Sequence, residues 1–225
     1  MNVLNPYSGE LVCSIEPTSA TELARALEQA SAALGNWRRT SVGDRISQLR
    51  SGIQYFRDES EAIALEITLQ MGKPLGQARG EVAAMIDRAE YMLEIAPGVL
   101  APDVLDPKPG FHRRIEHEPL GVVLNLAAWN YPLLIAVNVV VPALLAGNVV
   151  LLKHSSKTPL CGDRFAKAFP NVSHLVLDHE QTAALIRSGA VDHVAFTGSV
   201  EGGRQVFQQA AAGPNFIDTG LELGG

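Results

Sequence analysis

The apolar run from Pro119 to Lys153 carries no charge until its last residue, and Pro, Gly and Asn divide it into three pieces. Gly121 to Ala127 is short, β-branched and continuously apolar, as a strand buried on both faces would be. Pro132 to Ala146 sets Leu133, Leu134, Val137, Val140, Val141, Leu144 and Leu145 at helical spacing. Pro132 suits the first turn of that helix and Gly147 the position after its last. Val149 to Leu152 is a second buried strand, so the run predicts one βαβ unit. Its length would also suit a membrane span. Asn125, Asn130, Asn138 and Asn148, with breakers at Pro132, Pro142 and Gly147, argue against that reading.

Upstream, Asn2 to Glu16 predicts a hairpin turning at Asn5 to Gly9. Ser19 or Thr18 caps a helix with Glu22 in its first turn, ending near Gly35. Amphipathic helices follow over Ser41 to Arg57, Ser60 to Met71 and Leu75 to Ala96, the one ending at Met71 closed by Gly72-Lys73-Pro74. The Pro-rich stretch from Pro97 to Pro109 predicts an irregular connection. Phe111 to Glu118 alternates as an exposed edge strand does, either an oligomer contact or a solvated ribbon. Downstream, helices are expected from Thr158 to Phe169, His179 to Ser188 and Ser199 to Ala211. Strands are expected at His174 to Leu177, Val191 to Phe196 and Asn215 to Leu221. The alternation predicts an α/β fold, a doubly wound parallel sheet preceded by a helical layer. Three segments follow: 1–97, hairpin and helices; 98–118, connection and edge strand; 119–225, the sheet core.

Composition narrows the function classes. The chain has 225 residues, 47% hydrophobic, with a formal net charge of -6. The pI is about 5.5 and no basic stripe is present, which argues against a nucleic-acid partner. The N-terminus shows no secretory pattern, and two distant cysteines, Cys13 and Cys161, suit a reducing, cytoplasmic setting. The six histidines lack metal-ligand spacing, and His112 and His117 are expected on opposite faces of the 111–118 strand, so no metal site is predicted.

Ligands of doubly wound sheets bind beyond the C-terminal strand ends. Four polar groups are expected there: Ala127 to Asn130, Lys153 to Ser156, Phe196 to Ser199, and Glu222 to Gly225. Lys153 is either a solvated strand end or a cation for a ribose hydroxyl or phosphate. Gly198-Ser199 opens a helix whose free N–H groups attract anions, but Gly198 to Gly203 is neither GxGxxG nor a P-loop. Asn130 is a turn residue or an amide donor to a developing oxyanion. Glu222 is a surface turn residue or a general base.

Taken in order, these groups resemble the N-terminal half of the aldehyde dehydrogenase superfamily. The matching pieces are Pro119 to Val123, Trp129-Asn130-Tyr131-Pro132, Pro142 to Leu144 with Ala146-Gly147-Asn148, Lys153, Phe196-Thr197-Gly198-Ser199 with Gly203, and Glu222-Leu223-Gly224-Gly225. The likeness spans nearly the whole chain, and Asn5-Pro6 with Gly9 looks like the family's N-terminal hairpin. It implies a Rossmann-like core and the oxidation of an aldehyde, a semialdehyde among the candidates, with NAD or NADP. In that chemistry a cysteine thiolate attacks the aldehyde and activated water releases the acid. The resemblance assigns Asn130 to the oxyanion and Glu222 to the general base. It gives Lys153 to the adenosine ribose, Ser199 to the pyrophosphate, Thr197 and Gly198 to the floor beneath the nicotinamide, and Leu223 to a backbone contact near it. Ala128, Trp129 and Ser156 join the cofactor-binding set, and the intact family member is expected to be a homo-oligomer.

Two departures shape the expectation. The family's nucleophilic cysteine lies beyond Glu-Leu-Gly-Gly, and neither Cys13 nor Cys161 matches it. The chain is therefore expected to be a fragment, inactive unless another chain supplies the missing half and marginal in solubility alone. The alternatives are a non-catalytic nucleotide-binding remnant and an oligomer partner of intact relatives. The residue three after Lys153, commonly Glu in NAD-preferring members, is Ser156, which leaves room for a 2′-phosphate. The segment from Phe169 to Ser173 looks shorter than the family's usual loop there.

Overall fold

A computed structural model describes residues 1–224. Strands β1 (Asn2–Leu4) and β2 (Leu11–Ser14) form the expected hairpin. Its turn is held by the Asn5 side chain, which accepts from the Tyr7 amide at 2.9 Å. Four helices follow: α1 (Ala20–Trp37), α2 (Val42–Asp58), α3 (Ser60–Met71) and α4 (Leu75–Val99). Ser19 and Glu22 form a capping box at the start of α1, as their spacing predicts.

Two sequence expectations fail between α4 and the sheet. Helix α4 continues through Pro97 to Val99 instead of stopping at Ala96. Proline so near a helix end forfeits a single backbone bond, and the Leu100 amide still closes on Ala96. The expected strand over Phe111 to Glu118 shrinks to β4 (Arg114–Ile115), paired antiparallel with β3 (Asp103–Val104). Pro107, Pro109 and the left-handed Gly110 turn the chain over before pairing can lengthen. His112 and His117 therefore lie outside any strand, and β3 falls in the segment read as irregular.

Beyond this exposed ribbon the chain alternates β5 (Val122–Ala127), α5 (Pro132–Leu145), β6 (Val149–His154), α6 (Pro159–Ala168), β7 (Val172–His174), α7 (His179–Arg187), β8 (His193–Gly198), α8 (Val200–Ala211) and β9 (Asp218–Leu223). The strands form one parallel sheet in the order β7-β6-β5-β8-β9. Every residue of β5 is buried, which explains its uninterrupted apolar sequence. Edge strand β9 is largely exposed.

The Gly-Asn pair after α5 has a structural task. Gly147 adopts φ +92°, and a Cβ there would meet the Arg45 guanidinium at 2.9 Å. The Asn148 side chain then accepts from the Gly121 amide at 2.9 Å, fastening the start of β5 to the start of β6.

Helices α2, α3 and α4 lie against α5 and α6, while α1 packs on β5 and β6. An aromatic cluster of Phe56, Phe165 and Phe169 fills the α2–α6 contact. Arg164 on α6 reaches Glu66 of α3, and Glu59 and Tyr55 of the α2 end. Its bond to Glu66 raises the guanidinium pKa further above the ordinary arginine range.

Candidate functional site

Strand order reverses between β5 and β8. From β5 the chain crosses to β6 on one side, and β8 returns on the other. The loops leaving β5 and β8 therefore diverge and open a crevice at the C-terminal edge. Several predicted site residues sit slightly earlier than expected, inside strands rather than after them. Lys153 belongs to β6, Thr197 and Gly198 to β8, and Glu222 and Leu223 to β9. Parallel pairing continued further because each added residue finds a neighbour, Gly198 opposite Leu223 and Ala127 opposite His154.

Register sets the directions of these side chains. Thr197 pairs with Glu222, so the two point to the same face of the sheet. Phe196 and Leu223 serve the α8 side: Cβ atoms built on Gly202 and Gly203 would meet Phe196 at 2.8 Å and Leu223 at 2.5 Å. Alternation turns Thr197 and Glu222 to the opposite face. Right-handed crossovers that leave the switch point in opposite directions place α5 on that same face. Glu222 is exposed there, on the edge strand.

Ser199 is the N-cap of α8, and its Oγ accepts from the Gly202 amide at 3.1 Å. The helix thus presents its free amide end to the crevice. Lys153 and Ser156 line a cleft of about 440 Å³ with Pro159, Leu177, Asp178 and His179. Burial lowers the Lys153 ammonium pKa, and Asp178 opposes that shift. A half-buried ammonium beside a hydroxyl and a cleft of this size fits a ribose with its hydroxyls or a phosphate on it.

The turn from Ala128 to Tyr131 joins β5 to α5. Trp129 and Asn130 are exposed there, and the Lys157 ammonium lies 4.2 Å over the Trp129 ring. Helix α5 has no side-chain cap of its own. Glu81 of α4 supplies one, its Oε1 accepting from the Leu133 amide at 2.9 Å. Its other oxygen pairs with Lys73, which also donates to the Asn130 carbonyl at 2.9 Å. Behind the turn, His154 Nε2 lies 3.0 Å from the Pro132 carbonyl and Nδ1 lies 3.2 Å from Thr158 Oγ1. Burial pushes this histidine down to about 4, so the neutral ring donates from Nε2 and accepts at Nδ1.

Sequence reasoning gave no role to Lys73, Glu81 or His154. A signal existed for one of them: Glu81 interrupts the apolar stripe of Ala78, Val82, Met85 and Ala89 on α4. A carboxylate on a core face calls for a buried partner.

Neither cysteine joins the site. Cys13 lies in β2 and Cys161 in α6. Burial raises both thiols, with Cys161 wholly buried, so neither is disposed to ionise. Among the described residues no group of three or more His, Cys, Asp or Glu could hold a metal ion, and no helix is long and apolar enough to cross a membrane.

The fold and crevice define a doubly wound α/β protein with its ligand region at the strand-order reversal. The chain belongs, more narrowly, to the aldehyde dehydrogenase family, whose model matches residues 1–225. It is 32% identical over 231 residues to the succinate semialdehyde dehydrogenase Sad of Escherichia coli strain K12, described as using NAD(P)+; the match covers 99% of this chain and 49% of that protein. It is 34% identical to the NADP(+) succinate-semialdehyde dehydrogenase of Deinococcus radiodurans, covering 99% of this chain and 47% of that protein. Among solved structures, the succinic semialdehyde dehydrogenase of Streptococcus pyogenes in complex with NADP+ superposes with a TM-score of 0.91 at 27% identity, over 100% of this chain and 50% of that one. The betaine aldehyde dehydrogenase of Staphylococcus aureus in complex with NAD+ gives 0.90 at 27% identity, over 100% and 46%. The chain spans about half the length of the curated relatives it matches.

Proposed function

We propose that this chain is the dinucleotide-binding half of an NAD(P)-dependent aldehyde dehydrogenase, with a semialdehyde as the substrate class. The reading is carried by one observation. In a member of this family, Lys153, the capped start of α8 and the Trp129-Asn130 turn all lie at the C-terminal edge of one parallel sheet, at the ends of β6, β8 and β5.

When bound, the dinucleotide supplies the hydride acceptor. Lys153 and Ser156 hold the adenosine ribose. Ser156 brings a hydroxyl where a carboxylate would repel a 2′-phosphate, so NADP is admitted as well as NAD. The amides at the start of α8, with Ser199, receive the pyrophosphate, and Ala128, Trp129, Thr197, Gly198 and Leu223 line the nicotinamide side. The Asn130 amide donates to the oxyanion that develops when a thiolate attacks the aldehyde carbon. Glu222 then takes the proton from the water that hydrolyses the thioester. The thiolate is assigned to sequence outside these residues, because burial raises both thiols here.

Calorimetric titration with NAD and NADP tests the reading. Saturable binding of either, weakened at least tenfold by Lys153→Met, is the expected result. A folded chain that binds neither overturns it.

A further inference from the structure

We propose that Lys73 and Glu81 are positioning residues for Asn130, a buried ion pair that fixes the turn from which its amide projects. The inference rests on reading Asn130 as the oxyanion donor.

The two side chains hold backbone atoms on both sides of Pro132. Glu81 accepts from the amides of Leu133 and Leu134 at 2.9 and 3.5 Å, and Lys73 donates to the carbonyl of Asn130 at 2.9 Å. The Lys73 ammonium also stands 4.0 Å over the Tyr131 ring. Both residues are buried, at 8% and 4% exposure. The lysine is aimed by its own backbone: Gly72 ends α3 in the left-handed conformation at φ +77°, and Pro74 fixes the chain on the other side.

Capping alone does not call for this pair. Helix α6 also begins at a proline with no cap of its own, and the neutral side chain of Gln70 does the work, accepting from the Leu160 amide at 3.0 Å. A glutamine at 81 would offer α5 the same acceptor, giving up only the attraction of a carboxylate for the helix start. The ion pair instead carries the desolvation of two charges. What the charges add is the bond from Lys73 to Asn130, which lies before the helix starts and contributes nothing to its cap. That bond anchors the carbonyl of the residue whose side chain must aim at the reacting oxygen, where small displacements are costly.

The test uses the full chain with Lys73→Met and Glu81→Gln combined, which removes both charges, leaves an acceptor for Leu133 and breaks the tether to Asn130. Backbone ¹⁵N relaxation reads the turn. In the wild type the amides of 129–131 are expected at order parameters of about 0.85, and in the double variant below about 0.6. The Leu133 amide should stay protected from exchange. A turn that stays as ordered as in the wild type overturns the proposal and reduces the pair to a cap. Should the variant fail to fold, the wild-type ammonium decides. A slowly exchanging Lys73 Nζ coupled across its hydrogen bond to the Asn130 carbonyl carbon supports the tether, and exchange as fast as a surface lysine overturns it. Titration with NAD and NADP on the same samples tests the cofactor reading separately. Loss of binding by the wild type would sink that reading, while the relaxation comparison still judges the tether.

Discussion

The indole N–H of Trp37 donates to the Leu144 carbonyl at 3.0 Å, linking the last residue of α1 to the last turn of α5. Arg45 of α2 adds a bond from Nη1 to the Leu145 carbonyl at 2.7 Å. With Glu81 at the opposite end, the N-terminal helices hold a carboxylate against the positive end of α5 and a guanidinium against its negative end. Trp37→Phe should therefore cost roughly 1–2 kcal/mol, from the lost hydrogen bond and the smaller ring. Urea unfolding should show a lower midpoint with an unchanged slope.

Helix α2 meets the end of α6 at Gly52. A Cβ there would lie 2.5 Å from the Phe169 ring and 2.6 Å from the Ala168 carbonyl. The ring cannot withdraw freely, because it stacks on Phe56 with centroids 5.9 Å apart. Gly52→Ala, which on helix propensity alone would stabilise α2, is expected to destabilise the protein by about 1–3 kcal/mol. Thermal melting checks the sign.

His154 ties acid stability to the site. Its pKa is about 4 in the folded protein against 6.5 for an unperturbed side chain. Between these values only the unfolded chain takes up the proton, so stability falls as pH drops from 6.5 to 4 and is unaffected by this residue above 6.5. The loss is on the order of 3 kcal/mol over that window. Denaturant titrations at a series of pH values should show this component in the wild type and a flatter profile in His154→Gln.

Lys153 should affect binding and not folding. Burial already depresses its ammonium, so Lys153→Met removes a partly desolvated charge and should leave the melting temperature unchanged or slightly higher. Affinity for NADP in the wild type should decline with rising pH earlier than an ordinary lysine would dictate, because the lowered pKa discharges the ammonium sooner. The variant should lack that decline. A parallel pH dependence in wild type and variant would remove Lys153 from the binding site.

Much of this architecture is legible locally. The apolar runs of β5 and β6, the helical spacing of α5 and the box of Ser19 with Glu22 depend on residues near one another in the chain, and each appears where its pattern puts it. Their alternation is sufficient for a parallel sheet, because parallel neighbours need long crossovers. The motifs from Trp129 to Pro132 and from Glu222 onward point to the family by residue identity alone.

Tertiary structure decided what depends on distant partners. Strands β6, β8 and β9 run on through Lys153, Gly198 and Leu223 because neighbouring strands were there to bond them. The ribbon from 103 to 118 pairs over only two residues of each strand, a limit set by its turn and not by its alternation. Above all, Lys73 looks like an ordinary charge beside a helix start, and Glu81 shows in the sequence only as a carboxylate on an apolar stripe. Only folding brings them to a turn some fifty residues on, where removal from water obliges them to find each other and the backbone around Asn130.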